Sequence, residues 1–353
     1  MLQNILGALG GALDGISETI LAMSFGFAAF PTALGFLVGT AGMLIFNQVA
    51  PISLQAESIV MAGTMGRDRN ERLNIVFFGG IIMAILGIFG TMQAVTAFVG
   101  DSILAAMMAG VGIILTRTAV DLIKENPLAG GVSVVLAIIV YLFTFDFIYT
   151  LVISAVVSSV VYTVVNRKKL KENPVEVDTS IEKFEKLKIK LSPRLIRSIL
   201  AMCTLQIGGN IAYASITGQL AGTEANIDAV TIYSGIADSV SSFFGGAPVE
   251  AIISGTAAAP NPKLCATMMM LIVAAVCLFK LMPVLAKFIP SQCIGGFLFV
   301  LGVFSVFPDN ASIALEGDPV IASVTALVTA TVDPFIGMCA GVILRFLMGV
   351  IGA

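Results

Sequence analysis

No histidine occurs among the 353 residues, and charged residues make up only 12% of them. The first absence excludes histidine-ligated metal centres and imidazole proton relays. The second excludes the soluble classes. A globular domain carries about 25% charged residues, whereas this chain is 58% hydrophobic, a balance foreign to soluble enzymes, nucleic-acid binders and disordered chains. Cysteine is scarce too. The five (Cys203, Cys265, Cys277, Cys293 and Cys339) are scattered through apolar runs with no C-x-x-C pair, and they read as small buried hydrophobes. No glycine-rich phosphate loop and no large hydrophilic domain is present, so little remains from which to build a catalytic site. No enzymatic activity, cofactor, metal or nucleic-acid partner is expected. The first basic residue is Arg67, so the N-terminus lacks the positive region of a cleavable signal.

What the chain has in abundance is apolar runs. A bilayer-crossing helix needs about 20 mostly apolar residues. Such runs fall near 4–29, 31–46, 74–98, 101–120, 129–145, 147–165, 198–217, 229–246, 264–284, 291–306, 319–333 and 335–352. Two more, 50–64 and 247–258, are too short or interrupted to cross alone. A hydrophilic block at 166–198 holds ten of the 19 basic residues. It reads as a solvated cytoplasmic linker, with Ile181–Leu187 suited to a short interfacial helix. It separates a first repeat, 1–165, from a second, 199–353. The predicted fold class is an all-α polytopic membrane protein of about 14 segments in two seven-segment repeats. An odd number of crossings per copy inverts one copy relative to the other.

The repeats mark a site. Ala50-Pro51 recurs as Ala247-Pro248 at an offset of 197. Short segments interrupted by Pro at matching positions of two halves point to a transporter's binding site, because unpaired backbone at membrane depth is tolerated only when buried in protein or lining a wet cavity. Two breaks facing each other across a small chamber are expected, each followed by a half-helix whose N-terminus offers free N–H donors. Ser53 and Glu57 follow the first break on one helix face, and Glu250 and Ser254 follow the second. Gln206 and Asn210, also four apart, offer carboxamide donors and acceptors. These six are the candidate substrate-binding residues, and Glu57, Glu250 and Asp238 the candidates for ion coupling. A charged group at the bilayer centre costs about 2.5–3.5 kcal/mol, so each needs a reason to be there. Asp14 and Glu18 share a face as well. They are read as acids in the first turn of a helix starting near residue 14, with a mid-helix, ion-coupling position as the other possibility.

Several stretches resemble the nucleobase–ascorbate transporter family, particularly its adenine/guanine/hypoxanthine permease branch. Pro51-Ile52-Ser53-Leu54 is similar to P-F-A-L in that branch's broken third helix. Ile207-Gly208-Gly209-Asn210-Ile211-Ala212-Tyr213-Ala214-Ser215 resembles V-G-T-L-I-G-V-A-S in its eighth, Gly235 to Ala259 tracks the ninth and tenth, and Asp318-Pro319 with Thr329 to Ala353 resembles the C-terminal pair. The resemblance implies a core domain and a gate domain, nucleobase uptake coupled to protons or sodium, and a homodimer. The family's acidic positions fall on Leu205 and Ser254 here, leaving Glu57 and Glu250 to replace them.

The resulting expectation is a multi-pass permease in a prokaryotic cytoplasmic membrane. It would carry a nucleobase-like solute with H+ or Na+ by elevator-type movement of core against gate. The alternatives are a carrier of a small anion or carboxylate on the same fold, against which the glutamates speak, and a non-transporting sensor or scaffold. The charge rule places the linker inside and both termini outside, the reverse of the resembled family's usual arrangement.

Overall fold

The computed structural model describes residues 2–166, 179–252, 254–286 and 290–351. The first half comprises α1 (Leu2–Ser24), α2 (Ala29–Ile45), β1 (Ile52–Ser53), α3 (Ala56–Met65), α4 (Arg69–Ile88), α5 (Met92–Val99), α6 (Asp101–Glu125), α7 (Pro127–Thr144) and α8 (Phe147–Val165). The second half begins with α9 (Pro193–Leu220), α10 (Ile227–Phe243), β2 (Glu250–Ala251) and a 3-10 turn (Gly255–Ala258). It continues with α11 (Pro262–Leu278), α12 (Met282–Ala286), α13 (Gly295–Leu301), a π turn (Gly302–Val306), α14 (Phe307–Ala314), α15 (Pro319–Thr331) and α16 (Pro334–Ile351). Six of the described helices are long and apolar enough to cross a bilayer, with five shorter apolar ones beside them. The chain is a multi-pass membrane protein.

The repeat is visible in the backbone. With β1–α3, β2 and its turn, and α13–α14 each taken as one segment, and the short α5 and α12 set aside, either half has seven. The short α5 and α12 both follow the fourth. Equivalent helices are left through left-handed residues: Asn47 (φ 56°) after α2 and Gly245 (φ 97°) after α10, Gly90 (φ 63°) after α4 and Lys280 (φ 54°) after α11. The predicted run 74–98 is two helices for this reason, because the chain turns at Gly90 before α5.

Helix starts follow from short polar signals. Asn126-Pro127, Ser192-Pro193, Asn261-Pro262 and Asp318-Pro319 each place a side-chain acceptor before a proline. Their oxygens take the N–H groups of Ala129, Leu195, Leu264, and Val320 with Ile321. The acceptor satisfies an orphan donor, and proline at N1 lacks the N–H that would be another.

Two packed bodies result. In one, α10 lies on α4 and α2, and α11 on α2 and α1. In the other, α6 is surrounded by α13, α14 and α15, while α7 packs on α8 and α15 on α16. These are the core and gate. They meet where α9 touches α16 and where α3 touches α6.

The basic block departs from expectation. Its positions 167–178 lie outside the described residues. From Thr179 to Ser192 it is an extended strap, with no helix at Ile181–Leu187. The strap is tied to the core. Glu182 accepts from Ala29 N (2.9 Å) and Phe30 N (2.7 Å), capping α2. Glu185 N and Leu187 N donate to Phe244 O and Phe243 O, and Arg69 pairs with Glu185 at 3.0 Å.

Candidate functional site

The two chain breaks touch. Strands β1 and β2 pair antiparallel with Ile52 opposite Ala251 and Ser53 opposite Glu250, and Ile252 N donates to Pro51 O at 3.3 Å. No gap separates the breaks, so the expected chamber between the prolines gives way to a small two-stranded ladder. Its spare backbone acceptors go to side chains: Gln55 Nε2 to Ala251 O, Thr217 Oγ1 to Ile252 O (2.8 Å) and Tyr233 OH to Ala50 O. Helix α2 comes close because residue 39 is glycine. A Cβ there would stand 1.9 Å from Ile52 Cδ1.

Only one half-helix leaves the crossing. After β1 the chain enters α3, whose N-terminus points back at the ladder. After β2 it makes four residues of 3-10 turn instead, with Ser254 Oγ accepting from Thr256 N (3.2 Å). The expected second N-terminal donor set is absent among the described residues.

Four carboxylates converge here. Glu57 Oε1 accepts from Tyr213 OH at 3.2 Å. Glu250 Oε1 accepts from Gln206 Nε2 at 2.9 Å, and the same amide donates to Asp238 Oδ2 at 2.5 Å. Asp238 Oδ1 takes Val249 N at 2.6 Å, which fixes the approach to β2. The fourth is Glu18, whose Oε1 accepts from Ala56 N at 3.2 Å. All four are buried, and Asp14 lies within electrostatic reach of Glu18 and Glu57. None of the ion pairs among the described residues involves any of them.

The predicted site residues therefore divide. Ser53, Glu57, Gln206, Glu250 and Asp238 come together at the crossing. Asn210 turns to α10, donating to Ser234 (3.3 Å) and Thr231 (3.4 Å), and Ser254 caps its own turn. Glu18 was read as a first-turn acid. Helix α1 instead begins at Leu2, which sets Glu18 more than four turns along it and buried. The signal was the unbroken apolar run before Asp14. Tyr213 joins the site without a signal in the sequence, since a single tyrosine in a glycine-containing apolar helix has no charged partner at helical spacing to mark it. Several buried polar atoms lack a partner, among them Glu18 Oε2, Ser53 Oγ, Gln206 Oε1 and Asn210 Oδ1.

Two cavities flank the crossing along the seam between core and gate. One of about 420 Å³ lies between Met92, Thr96, Asp101, Ile211 and Ile227. The other, about 300 Å³, lies between Met61, Thr64, Ile114, Arg117 and Asp333. They approach α6 from its opposite ends.

Three solved structures match this architecture over nearly the whole chain. The transmembrane domain of a cyanobacterial bicarbonate transporter, BicA, superposes with TM-score 0.67 at 14% identity, covering 97% of this chain and 98% of that one. SLC26A9 gives 0.68 at 14% identity over 99% of this chain and 65% of its own length. Murine Slc26a9, described as an anion transporter in its inward-facing state, gives 0.67 at 14% identity over 100% and 69%. The fold is that of these transporters. No family model and no curated protein matches the sequence. The resemblance to nucleobase permeases is corrected by these structures. They share the seven-plus-seven inverted repeat with that family, so the quoted stretches report a common architecture and not a nucleobase carrier.

Proposed function

We propose that the chain is a secondary transporter that carries a small anion together with a proton, by movement of the core against the gate. The observation that carries this reading is the crossing: one half-helix N-terminus at membrane depth, set among four buried carboxylates with no cationic partner. The N-terminus supplies N–H donors and a partial positive charge to an anion. The solved structures sharing the fold include a bicarbonate transporter and an anion transporter.

The carboxylates, which by themselves oppose an anion, set the coupling. Buried unpaired charges cost several kcal/mol each, so negative charge must enter with a compensating positive one. We assign that role to a proton, since among the described residues no group of three or more acidic side chains is arranged to hold one metal ion. Each instead has its own donor: Ala56 N, Tyr213, Gln206 or Val249 N.

The test is uptake into proteoliposomes of radiolabelled bicarbonate, sulfate, formate and chloride and of 15N-nitrate, with and without an inward proton gradient. One of these anions is expected to accumulate only with the gradient. Failure of all five to accumulate overturns the proposal.

A further inference from the structure

The capping of α3 is unusual. Gln55 stands at the N-cap position but makes no capping bond, and its amide donates to Ala251 O instead. The cap comes from another helix: Glu18, on α1, takes Ala56 N at 3.2 Å. Its second oxygen, Oε2, is buried without a partner, as is Ser53 Oγ on β1. Both lie where α1 meets the first chain break. Gly15, one turn before Glu18, is where α1 leans on β1, and a Cβ there would stand 2.8 Å from Ser53 Oγ. A carboxylate thus caps a buried helix N-terminus with one oxygen engaged and the other free, and an unpartnered hydroxyl lies on the strand that the same helix packs against. Of the four carboxylates at the crossing, only Glu18 has a buried oxygen without a partner.

We propose that Glu18 is a tethered stand-in for the transported anion and the acceptor of the proton that accompanies it. Without solute, its carboxylate holds the α3 N-terminus. An incoming planar monovalent oxyanion takes over Ala56 N–H and the Ser53 hydroxyl. The proton entering with it forms an O–H bond on a Glu18 oxygen, giving the neutral carboxylic acid. One negative charge and one proton have entered, so the net charge of the site is unchanged. When the anion leaves, the proton leaves with it and the carboxylate recaps Ala56. This rests on the anion–proton reading above and adds the proton carrier, the ligand class and a stoichiometry of one to one.

The groups facing Glu18 leave it this role. Asp14 lies on its own helix, with Glu57 on α3 and Glu250 on β2. Tyr213 of α9 is engaged by Glu57. Helix α11 meets α1 with the apolar Met269 and Val273 and with two thiols, Cys265, bonded to Asn4 O, and Cys277, beside Thr19. Helix α8 carries no charged residue.

The experiment is nitrate and formate binding to the purified full chain by calorimetry, in buffers of different ionisation enthalpy, comparing wild type with Glu18→Gln. Wild type is expected to take up one proton per anion bound, with affinity falling about tenfold per pH unit on the alkaline side. Glu18→Gln is expected to take up none and to bind with affinity flat in pH. In vesicles, nitrate flux through wild type is expected to ignore the membrane potential, whereas flux through Glu18→Gln follows it. If Glu18→Gln keeps the wild-type proton uptake and pH slope, Glu18 is not the carrier although anion–proton coupling stands. Should the variant fail to fold, the wild-type titration decides: proton uptake of zero on binding nitrate overturns the inference together with the proton half of the reading it rests on, while the anion half stands. If wild type binds neither anion, the anion reading falls with it.

Discussion

Asp238 and Asn210 show how differently two polar side chains on neighbouring helices are used. Both oxygens of Asp238 are committed, one to Val249 N and one to the Gln206 amide. Its geometry is that of a brace under β2, a role added to the ion-coupling candidacy that its place inside a spanning helix gives it. Removing one partner of a buried hydrogen bond costs about 1–3 kcal/mol for a group stranded; here Val249 N is stranded, while the Gln206 amide keeps Glu250. Asp238→Ala is therefore expected to lower unfolding free energy in denaturant by about 1–3 kcal/mol. Asn210 donates only at 3.3 and 3.4 Å and leaves its oxygen unpartnered. Asn210→Ala is expected to stay within about 1 kcal/mol of wild type in the same titration, since little net hydrogen-bond energy is lost. The pairing of Gln206 with Asn210 was legible as a spacing of four, but their common role was not. Four residues rise about 6 Å along a helix, enough to carry the second amide past β2 and onto α10. The sequence leaves Glu18 between a first-turn and a mid-helix place for a simpler reason: composition does not say which residue begins α1.

At the level of elements, the breaks and the helix starts were readable and the second half-helix was not. Proline at 51 and 248 interrupts the backbone in both repeats, and the N-cap and proline pairs punctuate the rest. What decides the half-helices is room. Fifteen residues separate Ser53 from the next N-cap, Asp68, whereas ten separate Ala251 from Asn261. The ten-residue α3 fits in the first interval. The second, ending in Pro260 and Pro262, accommodates only the 3-10 turn. The approach of α2 to β1 is equally tight. Gly39→Ala would drive a Cβ to 1.9 Å from Ile52 Cδ1, and overpacking of this kind costs about 1–3 kcal/mol. Ile52→Val removes that carbon and is expected to recover part of the loss, a coupling a double-mutant cycle would register. Independent destabilisations that simply add would show that the clash relaxes elsewhere. The strap offers a second check. Losing an N-terminal cap costs about 0.5–2 kcal/mol, so Glu182→Ala is expected to speed hydrogen exchange at Ala29 and Phe30 and along residues 179–192. Unchanged exchange there would mean that the Glu185 and Leu187 backbone bonds hold the strap unaided.

For the whole molecule, the transport cycle proposed above requires core and gate to part, so whatever joins them would set the balance of states. Arg197 near the start of α9 reaches Asp333 before α16, with Nε 2.6 Å from Oδ2. Asp333 is buried and its other oxygen takes Ile336 N at 2.8 Å, while Arg197 is about half exposed, its side chain at 47%. The pair lies on the face that carries the strap and borders the 300 Å³ cavity lined by Met61, Arg117 and Asp333. It therefore holds the core to the gate where that cavity would widen. Asp333→Asn keeps an acceptor for Ile336 N but removes the charge that binds Arg197. A loss of about 1.4 kcal/mol is a tenfold change in an equilibrium, and a charge-assisted bond to a buried carboxylate is worth at least that. Hydrogen exchange in α3 and across the α15–α16 junction is expected to rise about tenfold on that basis, with the cavity between Thr96, Asp101 and Ile211 on the far side unaffected. Equal acceleration on both sides would show that Asp333 stabilises the gate as a body and does not latch it to the core.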